Sequence, residues 1–197
     1  DQFNRTTKKI VQGYESSGAL VEVESIQTGG QLGSGRWIIR EATDVRSATV
    51  DIVSPVKERI LDYKKNPWNV IQWSAGTSSQ GIRADLIIID DINQFKRLDS
   101  GSLRGKVVLT RLSPRSLLRV LADSGAVGVI SDQSVPNLTD AVAWTKFGWG
   151  SIPLSQAGSA LVGFAISEND GKRLREKLRK YKKIDLLLRA DINRYVG

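Results

Sequence analysis

Short apolar runs recur along the chain, separated by polar connections rich in glycine and serine. A continuous apolar run is typical of a strand buried on both faces, and alternating apolar and polar residues indicate a half-buried strand. Residues 19–27 alternate, with Val21 and Val23 among Glu22 and Glu24. The other predicted strands are 36–39, 48–53, 69–74, 84–90, 106–110, 127–131, 163–167 and 184–192.

Four segments carry the start and stop signals of helices. In one, Ser54 is placed to cap a helix and Pro55 occupies its first position, where its missing N–H costs nothing. In another, Ser167 and Asp170 have the spacing of a capping box. Ser113 precedes a third. The predicted helices are 6–17, 54–67, 114–124 and 170–182.

The unit at 106–131 reads strand, helix, strand. Because such crossovers are right-handed, residues 106–110 and 127–131 are predicted to be parallel neighbours. The whole pattern predicts an α/β (or α+β) fold. It would have a mixed sheet or an open, β-barrel-like arrangement, a few flanking helices, and one long ordered loop at 132–158.

The chain contains no histidine and no cysteine. A serine triad, a cysteine–histidine pair and a histidine-ligated zinc are therefore excluded within it, and so are disulfides. We predict no catalytic residue and no metal ligand in this sequence. No apolar run approaches the roughly 20 residues needed to span a bilayer.

The net charge of +8 lies entirely in the second half of the chain. Residues 171–183 hold eight basic side chains against Glu176, so this helix could attract a polyanion such as nucleic acid. The alternative is a solvated helix face. On that interpretation Leu174 and Leu178 are buried. The cations Lys172, Arg175, Arg179 and Lys183 then lie in water.

No glycine-rich phosphate loop occurs at a strand-to-helix turn. The start of the helix after Ser113 could hold an anion beside Arg111 and Arg115, or Ser113 could be simply its N-cap. Asp90 and Asp91 end a buried strand, a common place for metal-binding carboxylates. Adjacent residues point to opposite faces of a strand, so a turn or cap role is favoured for them.

Aromatic residues provide the candidate binding site. Trp68, Trp73, Trp144 and Trp149 lie near basic residues and could stack on bases or sugars, or could pack against sheet edges.

Within the long loop, Trp144, Lys146, Phe147 and Trp149 are the predicted binding residues, because long ordered loops are usually functional. At least one of the three rings is expected to be exposed. The alternative is that the rings cover a sheet edge.

The order of motifs resembles a protease-associated (PA) domain over about residues 84–183. A "GKVVLTR" strand (105–111) is followed by "ADSGAVGVI" (122–130). The other matching positions are Ile152, Pro153, Ile166, Asp170, Gly171 and Leu174. One departure is "LSPRS" after the first strand, where the family usually has a glycine-rich turn.

The flanks extend the resemblance to di-zinc aminopeptidases that carry a PA insert, a family that includes bacterial leucyl aminopeptidases, glutamate carboxypeptidase and the transferrin receptor. Residues 21–90, which include "VEVESI", "GRWIIREATDVRSATVDIVSP" and "ILDYKKNPWNVIQWSAGTSSQGIRADLIIID", are similar to the segment before the insert. The resemblance implies a flanking segment at 1–83, a PA core at 84–183, and a strand at 184–197 leading toward a catalytic domain.

The resemblance also implies a function. The chain would be a non-catalytic domain of a zinc aminopeptidase that helps to admit or recognise peptide or protein substrates. Zinc would belong to the catalytic domain of the parent, and that domain would be the second partner. The implied location is extracellular or at the cell surface. A basic module that binds nucleic acid or another polyanion remains the alternative, with nucleic acid the less favoured ligand.

Overall fold

The structure is a computed structural model that describes residues 2–26, 33–34, 37–38, 41–147 and 161–196. Its helices are α1 (Gln2–Ser16), α2 (Ile92–Phe95), α3 (Leu118–Asp123) and α4 (Glu168–Tyr181). Its strands are β1 (Gly33–Ser34), β2 (Trp37–Ile38), β3 (Ala42–Ser54), β4 (Glu58–Asp62), β5 (Ile82–Ile88), β6 (Lys106–Thr110), β7 (Gly128–Ser131), β8 (Val162–Ala165) and β9 (Asp185–Tyr195).

Seven of the strands form one mixed sheet in the order β4-β3-β9-β5-β6-β7-β8. The pairs β4-β3, β3-β9 and β9-β5 are antiparallel, and the pairs from β5 to β8 are parallel. The predicted fold class is confirmed: this is an α/β fold, and the sheet is not a closed barrel.

The predicted crossover unit is also confirmed. Strand β6 pairs in parallel with β7, with Val107 opposite Gly128 and Thr110 opposite Ser131. The connecting helix is shorter than predicted, because a 3-10 turn at Pro114–Ser116 precedes α3. Ser113 occupies the capping position of that turn, but its side chain makes no capping hydrogen bond.

All three predicted segments contribute to the sheet. Strands β3 and β4 come from 1–83, β5 to β8 from 84–183, and β9 from 184–197. The long strand β9 lies between β3 and β5, with register pairs such as Ala48 with Ala190 and Ala84 with Leu186. The division into segments stays a prediction.

Two hydrophobic cores lie on the sheet. One includes Val50, Leu109 and Leu188 and takes Leu174 from α4. The other includes Val108 and Val129 and is covered by helical and loop residues. Those covering residues are Ile71, Phe95, Leu117, Leu121 and Phe147. The side chains of Val107, Val108 and Leu109 in β6 are buried on both faces of the sheet, which explains this apolar run.

The predicted helix at 54–67 is wrong. The Ser54–Pro55 peptide bond is cis, and the following residues turn back as β4, which pairs with β3 and buries Leu61 in the core. Burial of Leu61 against the sheet outweighs the local capping signal, which is worth about 1 kcal/mol. Pro67 begins a 3-10 turn capped by Asn66, whose Oδ1 accepts a hydrogen bond from the Trp68 N–H at 3.1 Å.

The predicted strand at 19–27 is wrong over residues 19–26, which have no regular structure. No strand of the described sheet pairs with them, and Leu20, Val23 and Ile26 are exposed. The predicted strand at 69–74 is replaced by two isolated bridges, Val70 with Phe164 and Gln72 with Lys146. Helix α1 forms as predicted and begins earlier, at Gln2.

Candidate functional site

Helix α4 begins at the predicted capping box. The Ser167 Oγ accepts a hydrogen bond from the Asp170 N–H at 3.1 Å and donates one to the Asp170 carboxylate at 2.7 Å. Leu174 is buried as predicted, and Leu178 is partly buried against the same core. Lys172, Arg179 and Lys183 are exposed as predicted.

The prediction that Arg175 lies in water is wrong. Only 6 % of this residue is exposed, and its guanidinium lies between two carboxylates. It donates to Asp132 at 2.9 and 2.8 Å, and to Asp90 at 2.6 and 3.1 Å. Gly171, Leu174, Arg175 and Leu178 follow the i, i+3, i+4, i+7 spacing of an inward helix face. That spacing was the signal for burial.

The guanidinium of Arg175 stays charged between the carboxylates of Asp132 and Asp90. Burial has the largest single effect and opposes the charged form, but the hydrogen bonds to Asp132 and Asp90 together outweigh it. The pKa of Arg175 is therefore raised.

Asp90 also accepts a hydrogen bond from the Arg111 N–H at 2.9 Å, and Asp91 caps α2 through the Asn93 N–H at 2.8 Å. The cap role predicted for these aspartates is confirmed for Asp91, whereas Asp90 links the Arg111 backbone to the Arg175 guanidinium.

Carboxylates form ion pairs with several of the cations on and next to α4. Lys172 pairs with Glu168 at 2.8 Å and Lys177 with Glu58 at 2.9 Å, and Lys183, just after the helix, pairs with Asp85 at 3.2 Å. Arg173 pairs with Asp170. With Arg175 buried as well, the helix presents much less net positive charge than its sequence indicates, and this weakens the case for a polyanion site there.

Three of the four loop residues predicted to bind are described, and they differ in exposure. Trp144 is 57 % exposed, which confirms that at least one ring is accessible. Phe147 is fully buried and packs beside Gly163, so its ring supports the sheet instead of facing solvent. Lys146 is half-buried, with its ammonium 5.4 Å from the Trp73 ring centre and 5.9 Å from that of Trp144. Trp149 lies outside the described residues.

Trp144 lines a groove with a volume of about 400 Å³, which we call the aromatic groove. Its aromatic members are Tyr63, Trp68, Trp73 and Trp144. Trp68 is 58 % exposed. The remaining lining residues are Glu41, Thr43, Val45, Pro67, Val70, Ile71, Gln72, Ser74 and Ile192.

Main-chain hydrogen bonds hold one wall of the groove against the edge of β8. The Ile71 N–H donates to the Gly163 carbonyl at 3.0 Å, and the Gly163 N–H donates to Ser74 Oγ at 2.9 Å. On the other side of this wall, the Gln72 N–H donates to the Thr145 carbonyl at 3.1 Å. The wall is thus joined both to the sheet and to the loop that carries Trp144.

Trp73 has a left-handed backbone conformation, with φ of 66°. A bulky residue in this region is a conformational outlier, and such outliers cluster at ligand-binding sites. The hydrogen bonds of Ile71 and Ser74 on either side keep it in place.

At the end of the groove beside β3 lie two polar groups, the Glu41 carboxylate and the Thr43 hydroxyl. Glu41 is buried and lies 3.5 Å from the guanidinium of Arg194, which is equally buried. The Thr43 Oγ1 is buried and has no hydrogen-bond partner among the residues that the structure describes. An unsatisfied buried hydroxyl costs about 1–3 kcal/mol, so it requires an explanation.

The sequence identified Trp68, Trp73 and Trp144 as possible stacking residues, and the fold brings them together. Tyr63, Thr43 and Glu41 were missed. These three residues come together because β3 and β4 form a hairpin. The sequence predicts a helix at 54–67 instead, and no sequence signal marks the hairpin.

The residues present do not fit a zinc site. The sequence has no histidine or cysteine, and no group of three or more acidic residues among those described is arranged to hold a metal ion. No helix in the described part of the chain is long and apolar enough to cross a membrane.

No protein-family model and no curated protein matches this sequence. Solved structures do match. An aminopeptidase from Aneurinibacillus sp. strain AM-1 aligns with 98 % of this chain and 40 % of its own, at a TM-score of 0.59 and 19 % identity. The precursor of a peptidase M28 from Shewanella amazonensis SB2B aligns with 78 % of this chain and 36 % of its own, at a TM-score of 0.55 and 18 % identity.

A zinc aminopeptidase from Bacillus subtilis gives a TM-score of 0.51 at 16 % identity, covering 79 % of this chain and 31 % of its own. This chain therefore spans less than half the length of each of these structures. At such identities the likeness is one of fold. The described chain shares its fold with part of each of these peptidases.

Proposed function

We propose that this chain is a non-catalytic domain of the protease-associated type that accompanies the catalytic domain of a zinc aminopeptidase. Its role is to contribute to recognition or access of peptide and protein substrates. The zinc and the reacting groups belong to the partner domain. The similar structures are peptidases of which this chain spans only a part, which supports the proposal.

The aromatic groove is the observation that carries the role. Exposed tryptophans dominate binding energies at protein interfaces, and two of them border a concave surface here. Among the described residues that line the groove, Glu41 is the one charged side chain, and it lies 3.5 Å from the guanidinium of Arg194. This is the chemistry of a site that binds a chain without reacting with it.

A location outside the cell follows from the same proposal. One similar structure is a peptidase precursor, the form in which exported proteins are made. The absence of cysteine is compatible with an oxidising environment, because no thiol is present to be oxidised.

The proposal is tested with the chain by itself, in two assays. Hydrolysis of leucine p-nitroanilide is measured with and without added zinc, and binding of several unstructured peptides is followed by tryptophan fluorescence. We expect no metal-dependent hydrolysis. We expect peptide binding that Trp144→Ala weakens by about tenfold, the effect of losing an interface tryptophan.

Tyr14→Ala is the matched control, because Tyr14 is 59 % exposed on α1, away from the groove residues. Its peptide binding should equal that of the parent chain. Zinc-dependent turnover proportional to protein concentration would overturn the non-catalytic assignment. Peptide binding that is absent, or equal in the Trp144→Ala variant, would overturn the recognition role.

A further inference from the structure

We propose that helix α1 is a docking element whose apolar face packs on the peptidase domain of the same parent protein. This inference rests on the proposed role beside such a domain, and it specifies a surface that the two domains share. Three properties of the described chain support it: the apolar face of α1, its separation from the sheet, and the point where the chain enters and leaves the sheet.

An apolar stripe runs along α1 and consists of Phe3, Thr7, Ile10 and Tyr14. Phe3 is 77 % exposed, and Ile10 and Tyr14 are also more than half exposed. Alternate spacings of four and three residues place these side chains on one line of the helix surface, as in the contact seam of a helix pair. The Thr7 hydroxyl donates to the Phe3 carbonyl at 3.1 Å, so Thr7 brings no unsatisfied polar group into the stripe.

The charged residues of α1 lie away from this stripe when the helix is drawn at 3.6 residues per turn. They are Arg5, Lys8, Lys9 and Glu15. An apolar surface can therefore cover the stripe without burying a charge, which would be costly. Separation of this kind is typical of a helix that packs one side on a partner and keeps the other side in water.

The described sheet does not cover the stripe. Among the described residues, neither hydrophobic core takes a member from before Ala48. Large apolar side chains are exposed throughout the segment that precedes the sheet. They are Phe3, Ile10, Tyr14, Leu20, Val23 and Ile26. Exposed apolar surface concentrated in one segment marks an interaction site, and α1 carries half of these side chains.

The chain enters and leaves the seven-stranded sheet at one point. Its first strand, β3, starts at Ala42, and β9 ends at Tyr195, and these two residues are register partners. Adjacent ends are the geometry that allows one domain to be inserted into another. On the proposed function, a peptidase domain joined at these ends lies next to the segment that carries α1. The helix can then reach that domain without crossing the sheet.

A second copy of this chain fits the stripe less well than a domain of the same polypeptide. Helix α1 has 15 residues, which is about 22 Å or two heptads. A helix pair without other contacts needs about three to four heptads, and stable interfaces bury about 1,200–2,000 Å². Within one polypeptide a short helix docks at a high effective concentration, so a smaller area is sufficient. The aminopeptidase aligned over 98 % of this chain has more than half of its own length outside the alignment, which supports a partner of this kind.

The experiment follows α1 in two proteins: the chain by itself, and the longer parent protein that the same reading frame encodes. Amide hydrogen exchange reports whether the helix is covered. An isolated helix of this length is marginally stable in water, so the amides of α1 should exchange rapidly in the chain by itself. In the parent protein we expect them to exchange at least about a hundredfold more slowly, because docking opposes the opening of the helix.

Two variants of α1 test the stripe. Ile10→Asp places a charge within it, and Gln12→Asp places the same charge on the other side of the helix as the matched control. In the parent protein, Ile10→Asp should make the amides of α1 exchange at least about tenfold faster, and Gln12→Asp should not. In the chain by itself, neither variant should change the urea midpoint, because the sheet does not depend on α1.

The outcomes separate this inference from the proposed function. A parent protein that has a peptidase domain, but in which α1 exchanges as rapidly as in the chain by itself, overturns the docking role and leaves the proposed function in place. Equal exchange in the two variants does the same. A reading frame without a peptidase domain overturns both proposals. A dimer of the chain that Ile10→Asp dissociates in sedimentation equilibrium, or binding to phosphatidylglycerol vesicles that Ile10→Asp abolishes, would give the stripe a different partner and overturn this inference.

Discussion

The guanidinium of Arg175 donates hydrogen bonds to both carboxylate oxygens of Asp132, at 2.9 and 2.8 Å, in the interior of the domain. Asp132 follows β7 and is itself 1 % exposed. This pair joins α4 to the carboxyl end of the parallel strands, and Asp90 extends the contact to the end of β5. A buried charge pair of this kind specifies how the helix sits on the sheet.

We predict that Asp132→Ala lowers the free energy of unfolding by about 3–5 kcal/mol, since it leaves the Arg175 charge buried beside only one remaining carboxylate. Urea denaturation measures the change. Arg173→Ala is the control, because Arg173 is exposed and its pair with Asp170 is solvated. That variant should lose no more than about 1 kcal/mol. Equal losses in the two variants would contradict a structural role for the buried pair.

The Asp85 carboxylate predicts a specific acid dependence. A hydrogen bond from Lys106 at 2.6 Å, with the ammonium of Lys183 at 3.2 Å, lowers the pKa of Asp85 from 3.8 to about 2. A depressed folded-state pKa contributes stability above pH 3.8 that is lost as the pH falls through about 2. The carboxylate is partly exposed, so the contribution is about 1 kcal/mol.

We therefore expect Asp85→Asn to lower stability at pH 7 but to match the parent chain near pH 2, as measured by urea denaturation at several pH values. Asp99→Asn changes the same charge at an exposed turn and serves as the control. A constant difference between the Asp85→Asn variant and the parent at all pH values would show that the hydrogen bonds, and not the titration, account for the loss.

Gly163 on β8 is predicted to be intolerant of alanine. A Cβ there would lie 2.5 Å from Phe147 Cζ and 3.1 Å from Ile71 Cβ. Overpacking of this kind costs about 1–3 kcal/mol. Since Phe147 and Ile71 support the groove wall, Gly163→Ala should also alter the fluorescence of Trp73 and Trp144. Gly13→Ala on α1 meets nothing within 4 Å and should be neutral or stabilising.

Binding to a polyanion is predicted to be weak. The ion pairs along α4 leave few unmatched cations on it, so heparin affinity should not show the steep salt dependence of a multi-contact polyanion site. Measuring heparin binding at low and moderate salt tests this. A tight complex that dissociates steeply with salt would revive the alternative function.

Much of the sheet could be predicted because its strands are encoded locally. The stretches 86–89 and 107–109 are apolar without interruption, which is the composition expected of a strand buried on both faces. The hairpin at 54–62 could not be predicted, since its local signals favour a helix and only pairing with β3 decides otherwise. Arg175 illustrates a second limit: its partners lie 43 and 85 residues away. The groove could not be predicted for both reasons, because its residues come from distant parts of the sequence that include β3, the hairpin and the loop.

The position of β9 has a consequence for how the chain acquires its structure. Of the described strands, β9 comes latest in the sequence, yet it pairs with β3 on one side and β5 on the other. During synthesis the antiparallel and parallel halves of the sheet therefore cannot join until residues 185–195 have left the ribosome. Pairing across such sequence separations folds slowly. A chain ending at residue 184 should expose the edges of both β3 and β5 and aggregate, even though it retains strands β5 to β8 and helix α4.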